Sequence, residues 1–449
     1  MRRPGLLALA ALALAGTAGA QEARRCVFVL QSVGDSGVQV KTPEGLNYFA
    51  GGGVHITCRG TAVSIRSDSM AAFAGTVVQF IGNVRYRDSS ATLDADNGTY
   101  FKDGERWEAR GNVRTRSLSS GSTLEGPSVD YLRAAKGVRD TAETFATGRP
   151  TVRYVTRDSS GSAQEPYVIV GDRIRMRGDS RVWAGGSVTV DRSDFAARGD
   201  SLRLETGERG SGTLVGGEPA IKGLGKDTFD LRGTRIDFGL ADKALTDLWA
   251  RGMAHAVTKD LDLVSDTILI ELADQKAERT RAWGTERTAR AVSESYEVRA
   301  DSLAVDTPGQ QLEEVRAFRK AWIGTEVDSA SGERDWIAGD TVRATFAVRD
   351  SAGSSVTRLA QLESRASARS YYRAQEKPKA GGAAKPPSLN YARADRIVVV
   401  MREGGEEDGV ERVDLFGNVD GIQLDPQKPA ARAGSPATTP AAPTGERAK

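Results

Sequence analysis

The chain has 449 residues, with 62 Lys or Arg against 60 Asp or Glu, 39% hydrophobic residues and a mean hydropathy of −0.40. This near-neutral balance argues against a nucleic-acid-binding protein, which would carry a basic excess. Glycine contributes 50 residues, a share above the usual ~7%. The glycine content and the modest hydrophobicity together favour an elongated, glycine-punctuated β structure over a compact globule.

Residues 1–20 have the features of an export signal. Arg2 and Arg3 precede a short apolar run, Leu6 to Ala15, and Ala18-Gly19-Ala20 has the small-x-small form of a cleavage site. The run is shorter than the roughly 20 residues that a transmembrane helix needs. We therefore expect cleavage after Ala20 and a mature chain that works outside the cytoplasm.

Residues 21–47 are a leader segment with little strand pattern, and they contain Cys26, one of only two cysteines. The other, Cys58, lies at the start of the patterned region. In an exported protein two cysteines can form a disulfide. The sequence does not report their geometry, so a bonded pair and two free thiols both remain open.

The stretch from Phe80 to Tyr100 predicts a strand, a polar turn and a second strand. Val84 and Tyr86 should face one way, and Arg85 and Arg87 the other, because successive side chains of a strand alternate between the two faces. The same unit recurs along most of the chain, in a looser form.

The recurrence is marked by an acidic residue that is followed, two and four positions later, by apolar residues. Asp172 and Asp200, for example, are 28 residues apart. Strand periodicity at such a spacing predicts stacked two-stranded units over residues 48–425. Gln311–Lys320 is the best short helical candidate. Residues 376–388 form a predicted inserted loop, and the Pro/Ala-rich residues 426–449 a disordered tail. The markers are Asp68, Asp96, Asp130, Asp172, Asp200, Thr234, Asp266, Asp301, Asp340 and Asp395.

Catalytic signatures are absent from the sequence. The only histidines, His55 and His255, do not stand in a metal-ligand spacing, and no nucleophile elbow occurs. We therefore predict that the protein is not an enzyme and holds no cofactor. The repeated Asp could bind cations, but one carboxylate per unit favours a structural role at a strand corner.

Two further residue classes have a functional and a structural interpretation. An arginine cluster could bind the phosphates of a lipid headgroup, or could simply be a solvated strand face. Its headgroup candidates are Arg85, Arg87, Arg114 and Arg116. Tryptophans such as Trp107, Trp183 and Trp249 could line a groove or belong to the core.

Three short motifs carry a resemblance to a known family: Gly82-Asn83-Val84, followed by Ala95-Asp96; Gly111-Asn112-Val113; and Gly417-Asn418-Val419. They resemble the repeat of the OstA/LptA family (the organic solvent tolerance repeat), the periplasmic bridge proteins of lipopolysaccharide transport. The resemblance implies an all-β, elongated antiparallel sheet folded into an open, V-shaped β-jelly roll. The chain is about twice as long as a single-module bridge, so two jelly rolls in tandem are also conceivable.

The resemblance further implies a periplasmic protein that carries acyl chains in an apolar groove toward the outer membrane. Its cargo would be lipopolysaccharide or another amphipathic glycolipid. Its partners would be other jelly-roll transport modules, joined by edge-strand pairing, or further copies of this chain joined end to end. The groove candidates are Val84, Tyr86, Val113, Val188, Leu202, Leu204, Ile268, Ile270, Leu303 and Val342.

The main alternative is a structural β-solenoid scaffold or adhesin-like cell-envelope protein, which would have a packed core and no ligand. A packed core needs facing side chains that fill it at native density, whereas a lipid groove leaves apolar residues unmatched. A periplasmic enzyme or polysaccharide-binding module is a third interpretation. It is disfavoured because the sequence shows no set of acid and base residues for catalysis.

Overall fold

The computed structural model describes residues 26–155, 162–163, 165–193, 195–206, 209–224, 228–241, 244–258, 261–273, 276–327, 332–351, 354–374, 387–402 and 410–425. Within these ranges the chain is all β, apart from one 3-10 turn at Pro308–Gln310, and the strands pair antiparallel in a large sheet. The prediction of an all-β, antiparallel protein is confirmed.

The first strands are β1 (Phe28–Val33), β2 (Gly37–Thr42), β3 (Gly45–Ala50), β4 (Val54–Cys58), β5 (Ser64–Ser67), β6 (Ser69–Phe73), β7 (Val77–Arg87), β8 (Ala91–Phe101), β9 (Arg106–Ser117), β10 (Thr123–Leu132), β11 (Glu143–Thr147), β12 (Thr151–Tyr154), β13 (Tyr167–Val170), β14 (Arg173–Arg177), β15 (Arg181–Arg192) and β16 (Phe195–Glu205). They are followed by β17 (Arg209–Val215), β18 (Ala220–Gly223), β19 (Phe229–Arg232), β20 (Arg235–Ala241), β21 (Ala244–Thr258), β22 (Asp262–Ala273), β23 (Lys276–Trp283), β24 (Ala289–Val292), β25 (Tyr296–Ala300), β26 (Ser302–Asp306), β27 (Glu314–Thr325), β28 (Trp336–Ser351), β29 (Ser354–Ala374), β30 (Ser388–Met401), β31 (Val410–Phe416) and β32 (Asp420–Leu424).

The chain divides into two compact units. The first comprises the described residues up to 293 together with 302–313, and the second comprises 294–301 and the described residues from 314 onward. The first unit therefore contains β1–β24 and β26, and the second contains β25 and β27–β32.

In the first unit, long strands alternate with pairs of short ones. One half of β10 pairs with β11 and the other half with β12, and β15 divides its pairing in the same way between β14 and β13. The sheet consequently has two halves joined by the long strands. We call the half that contains Val77–Ile81 the first half-sheet and the half that contains Val84–Arg87 the second half-sheet.

A β-bulge marks the junction between the half-sheets. On β7 the register shifts between Ile81 and Val84, across Gly82 and Asn83, which have φ angles of 76° and 47°. Glycine adopts such left-handed angles without strain, and asparagine is one of the few other residues that tolerates them. The Gly-Asn pair of the motif is thus the local sequence that bends the strand.

The two half-sheets turn the same face toward a shared interior. Tyr86, in the second half-sheet, lies 5.0 Å from the ring of Trp107 and 5.9 Å from that of Tyr131, both in the first half-sheet. Side chains on this face are buried, whereas Arg85 and Arg87 between them are exposed. The period-2 pattern of the sequence therefore separates interior from solvent in the long strands of the unit, such as β7 and β9.

The second unit is built from the long strands β27–β30, with β25, β31 and β32 at their sides. The helical prediction for Gln311–Lys320 is wrong, because β27 occupies most of it. Val315 and Ala317 are buried there on one face, which is strand alternation, and a bulge at Arg319 and Lys320 imitates a change of period.

Strands already begin at Phe28, inside the segment that the sequence sets apart as a leader. Cys26 and Cys58 are joined by a disulfide with their Cα atoms 5.0 Å apart, which ties the start of this segment to β4. The export signal, the tail at 426–449 and nearly all of the inserted loop at 376–388 lie outside the described residues.

Candidate functional site: an apolar cleft in the first unit

An apolar cleft lies between the two half-sheets of the first unit. The second half-sheet contributes residues of β12, β13, β15 and β16, and the first contributes residues of β16, β17, β20 and β21 together with Thr206. Apart from that threonine and two tyrosines, every lining residue is aliphatic or phenylalanine. The lining residues are Tyr154, Tyr167, Ile169, Val190, Phe195, Ala197, Leu202, Leu204, Thr206, Leu214, Phe238, Leu240 and Leu245.

One strand beside the cleft, β17, carries two glycines on its inner face. In β17 the inward positions are Gly210, Gly212 and Leu214, so only the last of the three fills the interior. Phe238 pairs with Gly212, and its ring lies so close that a Cβ on residue 212 would stand 1.9 Å from Cζ of the ring. The ring of Phe238 therefore occupies the position that a side chain at residue 212 would take, and Leu240 lies 3.3 Å from the Cβ position of residue 210.

Burial within the cleft decreases with distance from the bend. Leu202 is 3% exposed, whereas Leu204, two residues farther along β16, is half-buried, as are Phe238 and Leu240 at the same end. The cleft has a volume of about 60 Å³, and a water needs roughly 10–15 Å³ by this measure. It can hold a few methylene groups, and the rest of a longer chain would lie against the half-buried residues.

A polar contact closes one end of the cleft. The hydroxyl of Tyr154, from the second half-sheet, donates to the carbonyl of Asp179 at 2.9 Å and lies 2.8 Å from Oγ1 of Thr206, both at the tip of the first half-sheet. Burial raises the pKa of Tyr154, so this hydroxyl stays protonated.

The structure places the groove candidates in different surroundings. Leu202 and Leu204 line the cleft. Val84, Tyr86, Val113, Val188, Ile268, Ile270, Leu303 and Val342 are also buried, but none lines this cleft. Val342 belongs to the second unit, and Val84 and Tyr86 lie in a densely packed aromatic region.

The headgroup candidates form one exposed patch on the outer face of the second half-sheet. Arg85 and Arg114 flank Asp94 across β8, and Arg87 and Arg116 flank Thr92 in the same way. The patch lies on the opposite face from Val84 and Tyr86, so these arginines do not line the interior.

The tryptophans also divide between two environments. Trp107 is fully buried in the core, whereas Trp249 and Trp283 lie on the outer face, where their rings are 6.0 Å apart. They therefore do not line the cleft.

Most of the cleft residues were not singled out from the sequence. The signal that could have found them is Arg209-Gly-Ser-Gly-Thr-Leu-Val215, where two glycines occupy alternate positions of a strand. Period-2 alternation puts both on one face, and the burial of Leu214 shows that this face is inward.

Other kinds of site are not found in the described part of the chain. Its His, Cys, Asp and Glu side chains form no cluster that could hold a metal ion. Across the same residues, no helix has the length and apolar character needed to cross a membrane.

Among known proteins, the chain matches no family model and no curated sequence. The resemblance to the OstA/LptA family therefore stays a prediction.

Proposed function

We propose that the protein binds an amphipathic lipid in the cell envelope, with an acyl chain in the apolar cleft and the polar part in water. The observation that carries this proposal is the cleft itself: half-buried leucine and phenylalanine side chains surround an apolar space between the two half-sheets. Each buried methylene group contributes about 0.8 kcal/mol, so a chain with several methylene groups in the cleft would be retained.

The bend at the Gly-Asn bulges supports the finer proposal of an open, V-shaped β-jelly roll. Two half-sheets that face each other and separate away from the bend would form such a groove. The disulfide between Cys26 and Cys58 supports an exported protein, because disulfides persist in oxidising compartments such as the periplasm. Lipopolysaccharide or another glycolipid with several acyl chains is the proposed cargo.

The terminal strands support the proposed partners. At one terminus β32 is exposed throughout, with Ile422 62% and Leu424 58% exposed. At the other, Val38 on β2 is 57% exposed. An edge strand with unpaired N–H and C=O groups can pair with another strand. Other transport modules of similar fold, or a second copy of this chain, would pair there.

The direct test is mass spectrometry of lipid extracted from the mature protein after purification from its exported compartment. We expect a multi-acylated glycolipid with the wild type. The variant Leu204→Asp should lose it, because it places a charge in the half-buried end of the cleft. The matched control is Leu224→Asp, since Leu224 is 50% exposed and lies outside the cleft.

A folded protein that carries no lipid, and takes none up on incubation, would contradict this function. It would favour the scaffold alternative, for which the closely packed aromatic region around Trp107 is the supporting observation.

A further inference from the structure

The interior of the first unit is packed differently on the two sides of the cleft. Toward the N-terminal strands it is filled by aromatic rings. The ring of Trp107 lies 5.3 Å from Phe80, 5.0 Å from Tyr86 and 5.5 Å from Tyr100, and Tyr86 lies 5.9 Å from Tyr131. All five side chains are 5% exposed or less. We call these five residues the aromatic plug.

Toward the other side, the buried inward positions hold alanines and aliphatic side chains such as Leu248, Leu263 and Ile268. The buried alanines lie on β21, on both sides of its bend, and on β23 and β24, which both pair with β22. None of the buried hydrophobic side chains described on β17–β24 is aromatic, so no cluster of rings comparable to the aromatic plug lies on this side. The buried alanines on this side are Ala250, Ala254, Ala256, Ala282, Ala289 and Ala291.

Polar contacts join the tips of the half-sheets over the aromatic plug. Asp88, in the turn after β7, accepts hydrogen bonds from Tyr86 at 2.8 Å and from Tyr131 at 3.0 Å, and is itself 5% exposed. Farther along, Ser119 donates to the carboxylate of Asp179. Tyr154 makes the last of these contacts, and the apolar cleft begins there.

The N-terminal segment completes the closure. The backbone N–H of Cys26 donates to Oε1 of Glu105 at 2.8 Å, and the ring of Phe28 packs edge-on against Tyr100 at 4.9 Å. Glu105 is fully buried and pairs with Arg133 at 2.6 Å. Cys26 belongs to the edge of the second half-sheet through its disulfide, whereas Glu105 and Tyr100 belong to the first. The segment thus bridges the two half-sheets.

We propose that the aromatic plug makes the cleft blind toward the N-terminal strands. An acyl chain enters beyond Tyr154, lies in the cleft between the two half-sheets, and does not pass along the interior to β1 and β2. This inference rests on the proposed function and restricts it, because the first unit then holds a chain instead of conducting it through both ends.

The experiment uses the full mature protein and palmitic acid that carries a photoreactive diazirine near its methyl end. After irradiation, peptide mass spectrometry locates the cross-links. We expect them on β13, β16, β17, β20 and β21, with a yield on β7–β9 at least tenfold lower. Trp107→Ala removes the largest ring of the plug and should raise the yield on β7–β9, with circular dichroism verifying the fold.

The outcomes separate the two proposals. Cross-links spread equally over β7–β9 and the cleft strands in the wild type would overturn the blind end while leaving lipid binding intact. No cross-link anywhere would overturn the proposed function. A Trp107→Ala variant that folds but keeps the wild-type pattern would show that the plug is not what stops the chain. If that variant fails to fold, the distribution of cross-links in the wild-type protein alone tests whether the cleft is blind.

Discussion

Gly82 lies so close to Asp68, in the bend between β5 and β6, that a Cβ on residue 82 would stand 2.3 Å from Oδ2 of the carboxylate. The same relationship recurs at 2.3 Å between Gly111 and Asp96. Asn83 donates from Nδ2 to Asp68 at 2.8 Å. The repeated Gly, Asn and Asp thus belong to one structural device that holds the bend between the half-sheets.

Gly82→Ala should therefore destabilise the protein by more than the backbone strain of an alanine at a left-handed φ angle. We expect a loss of about 2–4 kcal/mol, combining backbone strain with displacement of the Asp68 carboxylate from Asn83. Urea unfolding would measure it. The matched control is Gly121→Ala, because Gly121 has a φ of 79° against 76° for Gly82, but nothing within 4 Å of the added Cβ. Equal losses in the two variants would contradict the role of Asp68.

The all-β class and the inward positions were predictable because alternation is a local property of a strand. The contacts between residues at the bend were less predictable from the sequence. Gly82 lies 14 residues before Asp96 in the sequence, yet its close contact is with Asp68, across β6 and β7. The cleft was harder still, since it depends on which residues of the other half-sheet lie opposite β16, β17 and β20. The sequence shows that Gly210 and Gly212 have no side chains, but it does not show which residues of the other half-sheet lie opposite them.

The buried pair of Glu105 and Arg133 should be far more important for stability than exposed pairs. Glu105→Ala leaves the Arg133 charge without its carboxylate in a site that is 6% exposed, and we expect a loss of about 3–5 kcal/mol. Glu125→Ala is the control. Glu125 pairs with Arg114 at 3.7 Å, with side chains 55% and 72% exposed, and its loss should cost about 0–1 kcal/mol. Chemical denaturation of both variants compares them, and similar midpoints would refute the prediction.

Asp266 should contribute an acid-sensitive part of the stability. Its carboxylate accepts backbone hydrogen bonds from Arg287, Glu286 and Thr285, at 2.8 to 3.0 Å, and these lower its pKa. A lowered folded-state pKa stabilises the protein above the unfolded pKa, and this stabilisation is lost as the pH falls through the folded value.

In denaturation experiments between neutral pH and about pH 3, the stability difference between wild type and Asp266→Asn should be largest at neutral pH and shrink below about pH 4. Asp103→Asn, in an exposed turn, serves as the control and should change the stability little at any pH. A difference for Asp266→Asn that stays constant over the range would argue against this contribution.

Reduction of the disulfide should destabilise the N-terminal closure. The bond joins residues separated by 32 positions, and a loop of that size predicts a contribution of about 3–4 kcal/mol. Urea unfolding with and without reductant measures it. The double variant Cys26→Ser with Cys58→Ser should resemble the reduced wild type and show no further response to reductant. An unchanged midpoint on reduction would mean that the bond does not constrain the unfolded chain.

Gly212→Ala should fill the cleft without unfolding the protein. The added Cβ meets the far end of the Phe238 side chain, a ring that can rotate away, and the free space nearby is the cleft. We expect lipid uptake to fall at least fivefold, while the free energy of unfolding falls by about 1–3 kcal/mol. Gly104→Ala is the matched control, because Gly104 lies in a turn outside the cleft and its added Cβ would be 3.8 Å from the nearest atom. Uptake measured by mass spectrometry should stay at the wild-type level in that control, and unchanged uptake by Gly212→Ala would mean that the lipid binds elsewhere.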